Sequence, residues 1–213
     1  VVGAVLDEVV NGTKDIGTIR LLFLDAVGNV IGDSTVTEGK NGFAPGTPFR
    51  RKDNFGAALA SLGDINGNNM EDIMVGAPLN DETDRDAGAV FILFLNNDGT
   101  VGGHSTILAG DVGAAKGAKF GTALAPIGDL NGDGITEVVV GAPAADVSGR
   151  DDGEVYILFL SSHGAIDSVQ KINAIDGNLP AGMIDAKDKF GSALAGPGDI
   201  NSDGIPDLVV GAP

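Results

Sequence analysis

Three short stretches of the sequence carry oxygen-bearing side chains at alternate positions. "DLNGDGITE" places Asp129, Asn131, Asp133 and Glu137 at positions 1, 3, 5 and 9. "DINSDGIPD" places Asp199, Asn201, Asp203 and Asp207 there, and "DINGNNMED" places Asp64, Asn66, Asn68 and Asp72. Oxygens spaced this way on a tight loop converge on one point, where they can hold a hard cation. A backbone carbonyl at position 7 (Met70, Ile135 or Ile205) can join them. Ca²⁺ takes about 6–8 oxygens at about 2.3–2.6 Å, whereas Mg²⁺ rarely accepts an all-protein cage. The expected cofactor is Ca²⁺, in up to three ions. Position 6 needs a residue that tolerates positive φ, and it is Gly134, Gly204 or Asn69. An EF-hand would need a bidentate Glu at position 12 and a helix after it. Here position 12 is Val140 or Val210, inside a β-type run, so the loop belongs to a β-hairpin.

Asp, Asn and Gly are also ordinary turn formers. Three loops in phase, each with oxygens at all four positions, argue for a cation. The second and third loops carry three carboxylates each and the first carries two, so the first is expected to bind most weakly.

Little else could do chemistry. With no Cys, disulfides, thiolate sites and Cys catalysis are excluded. His104 and His163 stand near expected turn tips and read as solvated loop residues. Gly-x-Ser-x-Gly, P-loop and His-Glu-x-x-His motifs are absent. "DETDRD" (81–86) and "RDDGE" (150–154) read as solvated acidic turns. No catalytic residue is expected, and the chain is not expected to be an enzyme. The formal charge of -17 argues against nucleic acid. No apolar run reaches the roughly 18 residues that span a bilayer, so no membrane insertion is expected.

The loops recur because the chain repeats. "FGAALASLGDINGNNMEDIMVGAP" starts at Phe55, "FGTALAPIGDLNGDGITEVVVGAP" at Phe120 and "FGSALAGPGDINSDGIPDLVVGAP" at Phe190, spaced by 65 and 70 residues. A second block keeps the same phase: "GTIRLLFL" from Gly17, "GAVFILFL" from Gly88 and "GEVYILFL" from Gly153. Each unit reads as a short strand after Phe-Gly, a β-branched run stopped by Gly-Ala-Pro, and a strand apolar on both alternations, with both faces covered. A weaker fourth run follows, such as 169–175. The tips "NNDGT" and "SSHGA" fit hairpin turns. No helical stripe is visible. The fold expected is all-β, in propeller-like blades of four antiparallel strands. Arg20 breaks the pattern, standing where Phe91 and Tyr156 stand in the other units. Either its strand borders solvent, with the stem snorkelling, or it contacts a neighbouring chain.

Phe55-Gly56, Phe120-Gly121 and Phe190-Gly191, paired with Gly76-Ala77-Pro78, Gly141-Ala142-Pro143 and Gly211-Ala212-Pro213, resemble the FG-GAP repeat of the integrin α-chain propeller. The resemblance covers nearly the whole chain. It implies four-stranded blades, Ca²⁺ in the loops on one face, and an extracellular or cell-surface location. In integrins seven such repeats close a ring that helps bind extracellular ligands. Units are expected at 55–119 and 120–189. Residues 1–54 would be the end of a repeat without its Phe-Gly strand, and 190–213 the start of another. Three repeats make an incomplete or open propeller segment, since a closed one takes about 4–8 blades. Asn68 and Asn69 weaken the first loop, Val5 replaces an expected Pro, and Arg-Gly-Asp is absent.

The function expected is a non-catalytic, calcium-binding module acting in adhesion, with protein or glycan partners. One alternative is a building unit of an extracellular filament or sheath, its partners being further copies joined head to tail. An accessory domain of a secreted enzyme ranks below both. The chain begins on "VVGAV" and ends on "VVGAP". It is therefore read as a window on a longer protein, ahead of a subunit whose tail completes the head of the next. "FRRK" (49–52) is a charged rim or a docking patch for an acidic neighbour. Asn11 in "NGT" is a glycosylation acceptor pattern, meaningful for a secreted eukaryotic protein.

Overall fold

The computed structural model describes residues 2–4, 17–37, 39–43 and 52–213. Val5, Asn11 and most of the basic stretch 49–52 lie outside them. The described residues form thirteen strands and one short 3₁₀ turn, Ala109–Val112. Two complete sheets are antiparallel meanders. One runs β4 (Leu59–Gly63), β5 (Asp72–Ala77), β6 (Ala89–Leu95), β7 (Val101–Leu108). The other runs β8 (Ala123–Gly128), β9 (Glu137–Ala142), β10 (Glu154–Leu160), β11 (Ile166–Ile172). Before them lies a three-stranded sheet of β1 (Val2–Ala4), β2 (Thr18–Leu24) and β3 (Val30–Val36). After them β12 (Ala193–Gly198) pairs with β13 (Asp207–Gly211). The fourth strand of the unit at 120–189 is Ile166–Ile172, three residues earlier than the apolar pattern of 169–175 suggests.

Successive sheets stack face on face, as open propeller blades do, with the first strands β4, β8 and β12 side by side. In the two complete sheets, apolar residues alternate between the two faces of the third strand, β6 or β10, and each set enters a different core. Phe91, Leu93 and Leu95 pack back onto Ile19, Leu21 and Val36 of the first sheet and onto Phe43, which follows it. Val90 and Ile92 pack forward against Leu124, Val138 and Tyr156. This is why "AVFILFL" is apolar throughout and buried nearly throughout. Burying one such side chain is worth about 1.5–3 kcal/mol. β2 has the same pattern but only one covered face: Arg20 is exposed and reaches Asp33 at 3.4 Å, and Leu24 is 58% exposed. The strand borders solvent on the Arg20 side.

Each Phe-Gly joins two sheets. Phe120 N donates to Ala87 O (2.9 Å) of the sheet before it. Gly121 N donates to Gly141 O (3.1 Å) of its own. Phe120 is fully buried and meets Tyr156 edge-on at 5.3 Å, while Phe55 meets Phe91 at 5.5 Å. The two glycines of the motif sit where no side chain fits: a Cβ on Gly76 would lie 2.1 Å from Gly121 O. The opposite edge has its own clasp. Ser34 Oγ donates to Gly99 O (2.8 Å), and Ser105 Oγ to Gly164 O (2.9 Å), so each hairpin tip is pinned to the preceding sheet.

Candidate metal centre

Each oxygen-rich loop leaves its first strand through a β-bulge, at Ser61/Gly63, Pro126/Gly128 and Ala195/Gly198. The bulge re-aims the chain so that the next residue, Asp64, Asp129 or Asp199, turns into the loop. That carboxylate then winds the loop around itself. Asp129 Oδ1 accepts from the amides of Gly132 (2.7 Å) and Asp133 (3.1 Å), and Oδ2 from Gly134 (2.8 Å). Asp199 does the same with Ser202, Asp203 and Gly204, and Asp64 with Gly67, Asn68 and Asn69. Position 6 has positive φ in all three loops: +63° at Asn69, +88° at Gly134 and +87° at Gly204. Position 4 does too, at Gly67, Gly132 and Ser202, a second demand that the Ser202 exception hides in the sequence. At position 7 the amides of Met70, Ile135 and Ile205 donate to the side chain at position 5 (2.7–2.9 Å).

The second loop brings Asp129, Asp133 and Glu137 together, with one carboxylate oxygen of each within 4.8 Å of the others. Among the described residues it is the one group of three acids or imidazoles so close. Asp129 and Asp133 are exposed and Glu137 is fully buried. Glu137 Oε2 accepts from Leu130 N (2.5 Å), while Oε1 is buried with no hydrogen-bond partner. Burial, then the charges of Asp133 and Asp129, raise the Glu137 pKa above the ordinary carboxylate range. A buried carboxylate oxygen without a donor costs more than the about 1–3 kcal/mol of a neutral group. A divalent cation would satisfy that oxygen and offset the repulsion of the three charges. Asp129, Asn131, Asp133 and Glu137 fit such an ion. When bound, it would supply charge neutralisation and cross-linking of the loop.

The third loop repeats this backbone. Asn201 Nδ2 donates to Asp203 Oδ2 (3.0 Å), as Asn131 does to Asp133 (2.8 Å). Asp207 accepts from Ile200 N (2.7 Å). Asp207 is one methylene shorter than Glu137, and Asp199, Asp203 and Asp207 do not draw as close. The first loop differs in kind. Asp72 is fully buried with both oxygens engaged: Oδ2 accepts from Ile65 N (3.2 Å), and Oδ1 from Leu95 N (3.1 Å) and Asn66 Nδ2 (3.4 Å). Asn68 turns its amide away, donating to Leu95 O (3.0 Å). Burial, then the charge of Asp64, raise the Asp72 pKa, against the opposing pull of the Leu95 and Ile65 amides. These residues do not fit a cation as those of the second loop do.

Two expectations need correction. His104 is not a solvated loop residue: it lies within β7 and packs edge-on to Phe43 at 5.0 Å, and burial lowers its pKa. His163 is at an exposed tip beside Ser162. The turn 150–154 is not simply solvated either. Asp152 is fully buried and accepts from the amides of Val147, Ser148 and Gly149 and from Ser148 Oγ. Burial would raise its pKa, and those donors outweigh it and hold it low. Glu154 is buried with Tyr156 OH and Asn173 Nδ2. Burial, and then Glu154, push the Tyr156 pKa up. No described helix is long and apolar enough to cross a membrane.

Residues 55–93, 120–158 and 190–213 match the FG-GAP repeat. The chain is also similar to integrin alpha-IIb of Homo sapiens, 36% identical over 165 residues, which is 74% of this chain and 14% of that protein. Integrin alpha-3 of Cricetulus griseus is 35% identical over 160 residues, again 74% of this chain and 14% of that protein. Integrin alpha-PS5 of Drosophila melanogaster is 35% identical over 155 residues, 70% of this chain. The chain thus spans only a small part of the length of these relatives.

Proposed function

This is a chain of FG-GAP repeats, and we propose that it serves as a non-catalytic, calcium-binding propeller segment of an extracellular or cell-surface protein. Its partners in adhesion are proteins or glycans. The observation that carries the calcium reading is Glu137, whose buried Oε1 lacks a donor while Asp129 and Asp133 crowd beside it. The second and third loops, with three carboxylates each, are the calcium sites, and the first, with two, is not counted among them. The location and the adhesive role rest on the likeness to integrin alpha chains.

Titration calorimetry of chelator-stripped protein with CaCl₂ tests the reading. Calcium heat is expected, and Glu137→Gln, which keeps the shape and removes the charge, should weaken the tighter site by about tenfold or more. Absence of calcium heat, together with absence of metal from the purified protein, would end the calcium reading.

A further inference from the structure

We infer that the first loop is closed by an amide latch in place of a cation, so that the β4–β7 blade keeps its loop end when calcium is removed. The inference rests on reading the second loop as a calcium site. It deepens that reading by separating one blade from the other two.

The latch is the side chain of Asn68 with the backbone of Leu95. Asn68 Nδ2 donates to Leu95 O at 3.0 Å, and Leu95 N donates to Asp72 Oδ1 at 3.1 Å. Both polar groups of the residue that ends β6 are therefore taken by side chains of the loop beside it. Asn68 Oδ1 is used as well, accepting from Met70 N at 2.7 Å. Asp72 spends its remaining oxygen on Ile65 N. In the second loop the residue corresponding to Asn68 is Asp133, which has no hydrogen to donate, and Glu137 Oε1 has no partner. One substitution in type, an amide for a carboxylate at position 5, thus turns a ligand into a donor. The oxygen at position 9 is satisfied by an amide hydrogen where the second loop leaves it bare. Asn69, at φ +63°, keeps the turn that Gly134 makes at +88°, so the two loops share a path while differing in what closes them.

The test is hydrogen–deuterium exchange, read by mass spectrometry on the whole chain in chelator and in CaCl₂. In the native chain, peptides over 64–72 should exchange alike in both conditions, while those over 129–137 should slow on adding calcium. Asn68→Asp removes the donor and supplies a third carboxylate. In chelator its first loop should exchange about fivefold faster than the native one, the loss of about one net hydrogen bond, and calcium should restore protection. Asn68→Ala should exchange fast in both conditions. The inference is overturned if the native first loop gains protection from calcium as the second does, or if Asn68→Ala exchanges like the native chain in chelator. Should calcium slow neither loop while Asn68→Ala loosens the first, the calcium reading fails and the latch stands.

Discussion

The two ends of each blade are held by different means. At the Phe-Gly end, backbone meets backbone: Phe190 N donates to Asp152 O (2.9 Å), Gly191 N to Gly211 O (3.1 Å), and a Cβ on Gly141 would lie 2.0 Å from Gly191 O. At the loop end, side chains meet around a point: Asp129, Asp133 and Glu137 crowd within 4.8 Å. Backbone contacts have no rotamers to relax into, so the first end is fixed by shape and is indifferent to the solution. Carboxylates around a point repel one another until something neutralises them, so the second end is conditional. The repeat thus joins a constant hinge to a variable clasp, and only the clasp can differ between blades without the stack being lost.

The largest effects should fall at the constant end. Phe120→Ala empties a fully buried site between two sheets and should cost about 4 kcal/mol. Gly76→Ala drives a methyl into Gly121 O and should cost about 3 kcal/mol. Denaturant unfolding measures both, and the losses should be the same in chelator and in calcium. A calcium-dependent loss would show that the two ends are coupled, and the contrast between them would break.

Glu137→Gln should instead change sign with the solution. Without calcium it replaces a buried, partnerless carboxylate oxygen by a neutral amide, and should stabilise by about 1 kcal/mol. With calcium it removes a charged ligand and should destabilise by a comparable or larger amount, on the order of 1–2 kcal/mol. Thermal melts of the native and variant chains in chelator and in calcium would show the crossing. Parallel shifts in both solutions would mean that the buried oxygen is not the seat of the calcium response.

The same contrast explains what was legible in the sequence. Phe55, Phe120 and Phe190 with their glycines are readable because a shape constraint admits few residue types, and the repeat displays them in phase. Asn69 at position 6 is readable because Asn tolerates positive φ. Lys119 and Lys189, just before their Phe-Gly, share positive φ with Asn54, and a Lys does not announce it. The stacked sheets impose that conformation from outside. The clasp of Ser105 on Gly164 O is equally silent, since Ser and Gly near turns are common. The direction of the Asn68 amide could not be read at all: Asn is both donor and ligand, and the choice is made by the nearby Leu95 carbonyl. Arg20 was readable as a border residue because a charge in an otherwise apolar strand needs water on one side.

The smallest expected effect separates backbone from charge within the variable end. Gly132 and Ser202 hold the same place in the second and third loops, at φ +80° and +64°. A non-glycine residue in that region costs about 1–2 kcal/mol, and glycine returns about half of it through the greater freedom of the unfolded chain. Ser202→Gly should therefore stabilise by about 0.5 kcal/mol, and Gly132→Ser should destabilise by a similar or slightly larger amount. Both substitutions leave the carboxylates in place, so each effect should be the same in chelator and in calcium, unlike that of Glu137→Gln. If Ser202→Gly were neutral while Gly132→Ser were costly, the Ser202 side chain would be offsetting its strain by a contact of its own. The two loops would then differ in more than the length of the acid at position 9.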